Sequence, residues 1–218
     1  MGLLAGAALM AAALPAAAST TITFDERTSA SGVDTGDFES AGFLFTHAFN
    51  QGVGFRSWGT EGEFAPNNAD PDGATLFDNV GGRYANAFAA IGGGAFALFS
   101  IDLADIYNGQ AGGLPLTTIF TATKAGGGTV TQSFTFDQTP GLKTFAFNTD
   151  FQNVVSVSWG GDLNSNGTSP YGVQLDNIVV GEAVTGGVPE PATWALMILG
   201  FGAAGAALRR RSSPAPQL

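Results

Sequence analysis

The strictest pattern in this chain is a two-residue alternation. In 128–136 (GTVTQSFTF), Val130, Gln132, Phe134 and Phe136 fall on one parity, and Thr129, Thr131, Ser133 and Thr135 on the other. In 153–159, Val155, Val157 and Trp159 alternate with Ser156 and Ser158, and in 142–148 Phe145 and Phe147 share a side. A helix would scatter these residues around its circumference, whereas a pleated strand gathers them on one face. One apolar and one hydroxylated face is the mark of an antiparallel sheet with one side buried and one wet. Turn formers divide the runs: 125–128 (AGGG) reads as a hairpin between 116–124 and 128–136, and Thr139-Pro140-Gly141 follows. Further runs of strand composition are 20–24, 43–49, 53–58, 74–78, 84–89, 95–103 and 171–180. About ten short strands predict an all-β fold, an antiparallel β-sandwich of jelly-roll type. The stretch 105–114 admits a short helical turn, and no repeat of fixed period is present.

The two ends break this pattern. Residues 2–18 form an apolar run through Leu14, then Pro15 and Ala16-Ala17-Ala18. That predicts a secretory signal peptide, 1–18, cut after Ala18, although no Lys or Arg precedes Arg27. At the other end, 181–188 (GEAVTGGV) reads as a flexible linker. Pro189-Glu190-Pro191 comes next, then the uncharged run 192–208, then Arg209, Arg210 and Arg211, with 212–218 as a cytoplasmic tail. Seventeen helical residues reach ~26 Å at ~1.5 Å each. That is the lower limit for a bilayer core of ~30 Å, met if the arginines snorkel. The basic cluster stays in the cytoplasm, which places everything before Pro189 outside. Pro191 suits a first helical turn, and Glu190 complements the positive end of the helix dipole.

Motif, short span, basic cluster and chain end, in that order, resemble the PEP-CTERM sorting signal of Gram-negative bacteria. The match is to its P-E-P-x-x-W-A variant, met here as Pro189, Glu190, Pro191, Trp194 and Ala195. The resemblance covers the region 189–211. It implies an exosortase partner, a membrane-embedded enzyme that cuts at the motif. It also implies a transient inner-membrane anchor, and delivery to the cell surface or extracellular matrix.

Between the ends lies one domain's worth of chain, 19–180, long enough for a real core. The protein carries 18 acidic and 8 basic residues for a net charge of −10, and three of the basic residues are the terminal arginines. Such acidity argues against a nucleic-acid partner, whose phosphates call for a basic footprint; it favours solubility and cation binding. There is no cysteine, which excludes disulfides, thiol chemistry and Cys-containing zinc sites.

The core has a family look of its own. Thr21–Phe24 followed by Asp25, Phe99–Leu103 (FSIDL) and Val173–Val180 (VQLDNIVV) resemble galactose-binding-like or carbohydrate-binding-module β-sandwiches. In that family a structural calcium is held by an Asp on the last strand and acidic residues near the first. The matching positions are Asp176 with Asp25 and Glu26. The residues themselves add an anomaly: Val173 and Leu175 share one parity, Ile178 and Val180 the other. A β-bulge at Asp176-Asn177 would restore burial of all four and re-aim the Asp. Calcium takes 6–8 oxygens, so backbone carbonyls would complete the shell.

Two further loops resemble half an EF-hand loop. One offers Asp162, Asn164 and Asn166 before Gly167, the other Asn68, Asp70 and Asp72 before Gly73; both lack the closing Glu. No catalytic constellation stands out. His47 is the single histidine and lies within a strand run, and no G-x-S-x-G elbow surrounds a serine. Trp58 and Tyr171, beside Gly-rich or polar loops, are the best candidates for stacking on sugar rings. The expectation is a non-enzymatic, exported structural or adhesive protein that binds carbohydrate. The alternative is a secreted carbohydrate-active hydrolase built on two carboxyls ~5–9.5 Å apart, with extracellular polysaccharide as partner in either case.

Overall fold

The computed structural model describes residues 18–27, 34–47, 55–60, 69–78, 86–105, 115–137, 139, 141–164, 173–184 and 191–211. The chain divides into two units, 1–183 and 184–218. Among the described residues the first holds thirteen strands: β1 (Ser19–Ile22), β2 (Asp34–Thr35), β3 (Phe38–Ser40), β4 (Phe43–His47), β5 (Phe55–Trp58), β6 (Thr75–Asp78), β7 (Asn86–Ala90), β8 (Phe96–Asp105), β9 (Leu116–Lys124), β10 (Thr129–Phe136), β11 (Lys143–Ala146), β12 (Val154–Asn164) and β13 (Val173–Glu182). Short 3-10 turns occupy Asp25–Arg27 and Thr149–Phe151.

All pairings are antiparallel and form one sheet curled on itself. One half runs β2-β5-β6-β13-β8, with β1 added to β13 and β11 to β8. The other runs β3-β4-β7-β12-β9-β10. Among the described residues, the pair Val154 with Phe96 joins β12 to β8 and thus the two halves. The architecture is therefore the all-β sandwich that the alternation predicts.

Aromatic rings fill the space between the halves. Phe55 of the first half stacks at 5.9 Å on Trp159 of the second, and stands edge-on to Phe38 at 5.7 Å. Phe134 meets Phe145 at 5.0 Å, and Phe120 meets Phe147 at 5.3 Å. Phe24, Phe45, Phe55, Phe77, Phe88, Phe120 and Phe151 are fully buried. Each such ring contributes on the order of 2 kcal/mol by leaving water. Gln132, in phase with these rings, is satisfied at both ends: its amide donates to the Ala146 carbonyl at 3.0 Å and accepts from the Asn148 N–H at 2.9 Å.

Several details depart from the sequence expectation. β2 and β3 were not expected; at two and three residues they are too short for alternation to register. Val154, rather than Val155, is buried, because a register shift between Val154 and Ser156 turns the chain by one residue. β13 continues to Glu182, two residues into the stretch read as linker. The β3–β4 turn places Ala41 and Gly42 at φ 47° and 83°, the positive pair that a two-residue hairpin turn uses. Most of the helical turn expected within 105–114, all of 1–17 and the motif residues Pro189 and Glu190 lie outside the described residues.

The second unit contains helix α1 (Pro191–Arg211). Its Leu196, Ile198, Leu199, Phe201 and Leu208 are all exposed, Phe201 at 74%. Among the described residues, no helix is long and apolar enough to cross a membrane.

Candidate metal centre

The site arises from a change of partner along β13. On one side of β13, Gln174 and Leu175 pair with Phe77 and Leu76 of β6, while Ile178 to Gly181 pair with Ile22 to Ser19 of β1. Asp176 and Asn177 fall in the gap between the two partner strands. The ladder with β8 on the other side also slips between Asp176 and Val179. Asn177 takes φ 46°, a left-handed conformation that Asn tolerates better than most residues. Its side-chain amide donates to Asp102 Oδ2 at 2.9 Å. The bulge expected at Asp176-Asn177 is thus present, and Val173, Leu175, Ile178 and Val180 are all buried.

Two turns reach the gap. The chain leaving β1 turns at Asp25–Arg27, and the chain entering β6 turns at 70–73, where the Gly73 N–H donates to the Asp70 carbonyl. Their carboxylates converge over Gly73. A methyl group added there would run into the Asp70 carboxylate and lie 2.9 Å from Asp25 Oδ1, so a larger residue would push these carboxylates from their present places. Asp176 is 2% exposed, and its Oδ1 is buried without a hydrogen-bond partner. Burial pushes its pKa up to about 7; the Asn177 and Phe24 backbone N–H groups pull the other way, and the charges of Asp25 and Asp70 add to the rise.

Among the causes acting on Asp176 there is no basic group to offset this crowding. The ion pairs among the described residues are Lys124 with Asp150, at 2.7 Å, and Lys143 with Asp137. Arg27, next in sequence, instead places its guanidinium 4.0 Å over the Phe38 ring. Like charges held close with an orphaned buried oxygen are what a bound cation would resolve. As they stand, no three acidic, histidine or cysteine side chains among the described residues close into a metal-holding group. A hard cation would therefore draw the remaining oxygens from the backbone.

The residues singled out in the sequence divide accordingly. Asp25 lies near enough to Asp176 for its charge to raise that group's pKa. Glu26 has one oxygen engaged by the Ser40 hydroxyl at 2.9 Å. Asp70 belongs to the second EF-hand-like loop, and its alternating acids before a glycine were the signal; joining it to Asp25 and Asp176 required the strand pairing. Asp162 and Asn164 are backbone members of β12, whereas Asn166 and Tyr171 lie outside the described residues. Trp58 is 6% exposed with its ring 5.9 Å from that of Phe77, which leaves it no open face for a sugar. The His47 ring packs edge-on against Phe55 at 5.4 Å. Of the sorting residues, Pro191, Trp194, Ala195, Arg209, Arg210 and Arg211 belong to α1.

Comparison with known proteins bears on the two units separately. Residues 187–211 match the PEP-CTERM protein-sorting motif. No curated protein matches the chain in sequence. Among solved structures, the chain is similar to the CBM22-1 and GH10 modules of endo-1,4-beta-D-xylanase 10B from Clostridium thermocellum, complexed with xylohexaose. That likeness has 11% identity and a TM-score of 0.39, and covers 74% of this chain and 28% of that one. It is also similar to a CBM22-1 xylan-binding domain from Paenibacillus barcinonensis (11% identity, TM-score 0.38, 79% of this chain and 99% of that one). A third is a family 11 carbohydrate-binding module from Clostridium thermocellum in complex with a beta-1,3-1,4-mixed-linked tetrasaccharide (11% identity, TM-score 0.34, 77% and 98%). These likenesses are too distant to carry a ligand from one chain to the other.

Proposed function

We propose that this chain is an exosortase substrate whose exported part is a non-enzymatic, jelly-roll-like β-sandwich with a structural or adhesive role at the cell surface or in the extracellular matrix. The sorting motif at 187–211 carries this reading. The N-terminal segment 1–18 directs export. The run 192–208, uncharged and at the short limit of a span, holds the protein in the inner membrane while Arg209–Arg211 remain in the cytoplasm. Cleavage at Pro189–Pro191 then releases the domain. A chain lacking residues 189–191 is expected to stay in the membrane fraction; release equal to that of the intact chain would overturn the proposal.

A structural calcium is the cation this reading assigns to the exported domain. Asp25, Asp70 and Asp176 would hold it, with backbone carbonyls completing the shell. A bound ion would supply the positive charge that lets a buried carboxylate ionise, and its role would be structural, between the chain leaving the first strand, the turn before the sixth and the last strand. The hydrolase alternative calls for two carboxyls in an open cleft beside aromatic rings, whereas the converging set here includes one that is buried. Carbohydrate binding belongs to the adhesive role, and glycan-array binding without turnover is its expected signature.

A further inference from the structure

Neither the sorting signal nor the metal centre uses the free edge of β10. Among the described residues, β1, β2, β3, β10 and β11 each have strand partners on one side only. All of these except β10 are short, two to four residues long. Asp34, Glu39 and Lys143 also set a charge on β2, β3 and β11. Short length and charge are how sheet edges avoid pairing with other chains. β10 has neither guard. It runs for eight residues without a charge or a proline. Its register with β9 is unbroken from Thr129 to Phe136, so no bulge twists the edge away.

The same register tells which backbone groups lie on the open side. At the hairpin the Lys124 N–H donates to the carbonyl of Gly128, directly opposite, at 3.0 Å. Hydrogen-bonded and non-hydrogen-bonded pairs alternate from there along the ladder. Val130, Gln132, Phe134 and Phe136 therefore direct their N–H and C=O groups to β9. Those of Thr129, Thr131, Ser133 and Thr135 point out of the sheet edge, and all four residues are exposed.

We propose that this edge pairs antiparallel with the same edge of a second copy of the chain, so that two sandwiches share one continuous sheet. A strand that fits here must be long, uncharged and apolar at the positions that turn inward, and β10 itself meets each condition. With a two-fold axis at Gln132, Thr129 lies opposite the partner's Thr135 and Thr131 opposite the partner's Ser133. That pairing makes about eight backbone hydrogen bonds. On the inner side Val130 faces the partner's Phe134. The two Gln132 side chains face each other with their amides already held by Ala146 and Asn148. A slide of two residues would set Gln132 against Phe134 or Val130 and lose a pair, and a slide of one would turn the apolar side outward. The net charge of −10 places nothing on this edge, so two copies meet without like charges across the seam. A contact about a two-fold axis is closed, and assembly stops at the dimer.

The test is spin-label spectroscopy on the full chain in detergent. The chain has no cysteine, so Thr131→Cys and Thr20→Cys each take a single nitroxide. Paired strands lie ~4.8 Å apart, which brings two labels at position 131 within about 20 Å and should broaden the spectrum by dipolar coupling. Dilution with excess unlabelled chain should sharpen it. The label at position 20, exposed on β1, should give a sharp spectrum throughout. Ser133→Pro removes one outward N–H at an edge position where proline is tolerated. Ser133→Lys keeps every backbone group but sets like charges across the seam. Each should abolish the broadening at position 131 at an unchanged melting temperature, and the lysine variant decides if the proline variant unfolds. A sharp spectrum at position 131, equal broadening at position 20, or broadening that survives substitution of Ser133 would overturn the proposal.

Discussion

Asp176 is where the domain's electrostatics concentrate. Without a cation its folded form keeps its proton up to about pH 7, while the unfolded chain releases it near ~3.9. Between these values the native state binds the extra proton. The contribution is complete below about pH 4 and is lost as pH rises towards 7, on the order of 4 kcal/mol in all. In chelator, the melting temperature should therefore fall across this window, and Asp176→Asn should flatten the slope and raise stability at pH 8. Added calcium should stabilise the wild type at pH 8 and leave Asp176→Asn unmoved. Thermal scans with and without calcium check both; a wild-type curve indifferent to calcium and chelator would remove the metal. Gly73 gives an independent test. Gly73→Ala puts a methyl group against Asp70 and Asp25 and should weaken calcium binding by about tenfold or more, measured by titration calorimetry.

At the level of elements, the bulge in β13 both aims Asp176 and restores burial of the last strand. Asn177 at φ 46° sets its cost. Asn177→Gly should change stability by less than about 1 kcal/mol, whereas Asn177→Val should cost about 2 kcal/mol or more, read from denaturant unfolding. Gly and Val costing the same would mean that the left-handed conformation is not what the position requires. This element was legible in advance, because the parity switch between Leu175 and Ile178 allows few other remedies. The alternating strands β10 and β12 were legible for the same reason, since period two leaves one solution. What brought Asp70 to Asp176 was not legible: residues 106 positions apart meet only because β6 and β1 share one side of β13. Trp58 misled because a polar, Gly-rich neighbourhood along the chain says nothing about which rings close over a side chain in space. The two-residue β2 offered no period to read.

The whole molecule joins an acidic, cysteine-free sandwich to a helix whose large apolar side chains are exposed. The helix carries no amphipathic stripe, and its sequence matches a sorting motif. The last strand ends at Glu182 and the motif's prolines begin at Pro189, so only a few residues of sequence separate the two. The most direct measurement is mass spectrometry of the protein recovered from the cell surface or medium. The predicted form begins at Ser19 and lacks everything after about Pro191. Recovery of surface protein that still carries 192–218 would contradict processing at the motif, and with it the central claim.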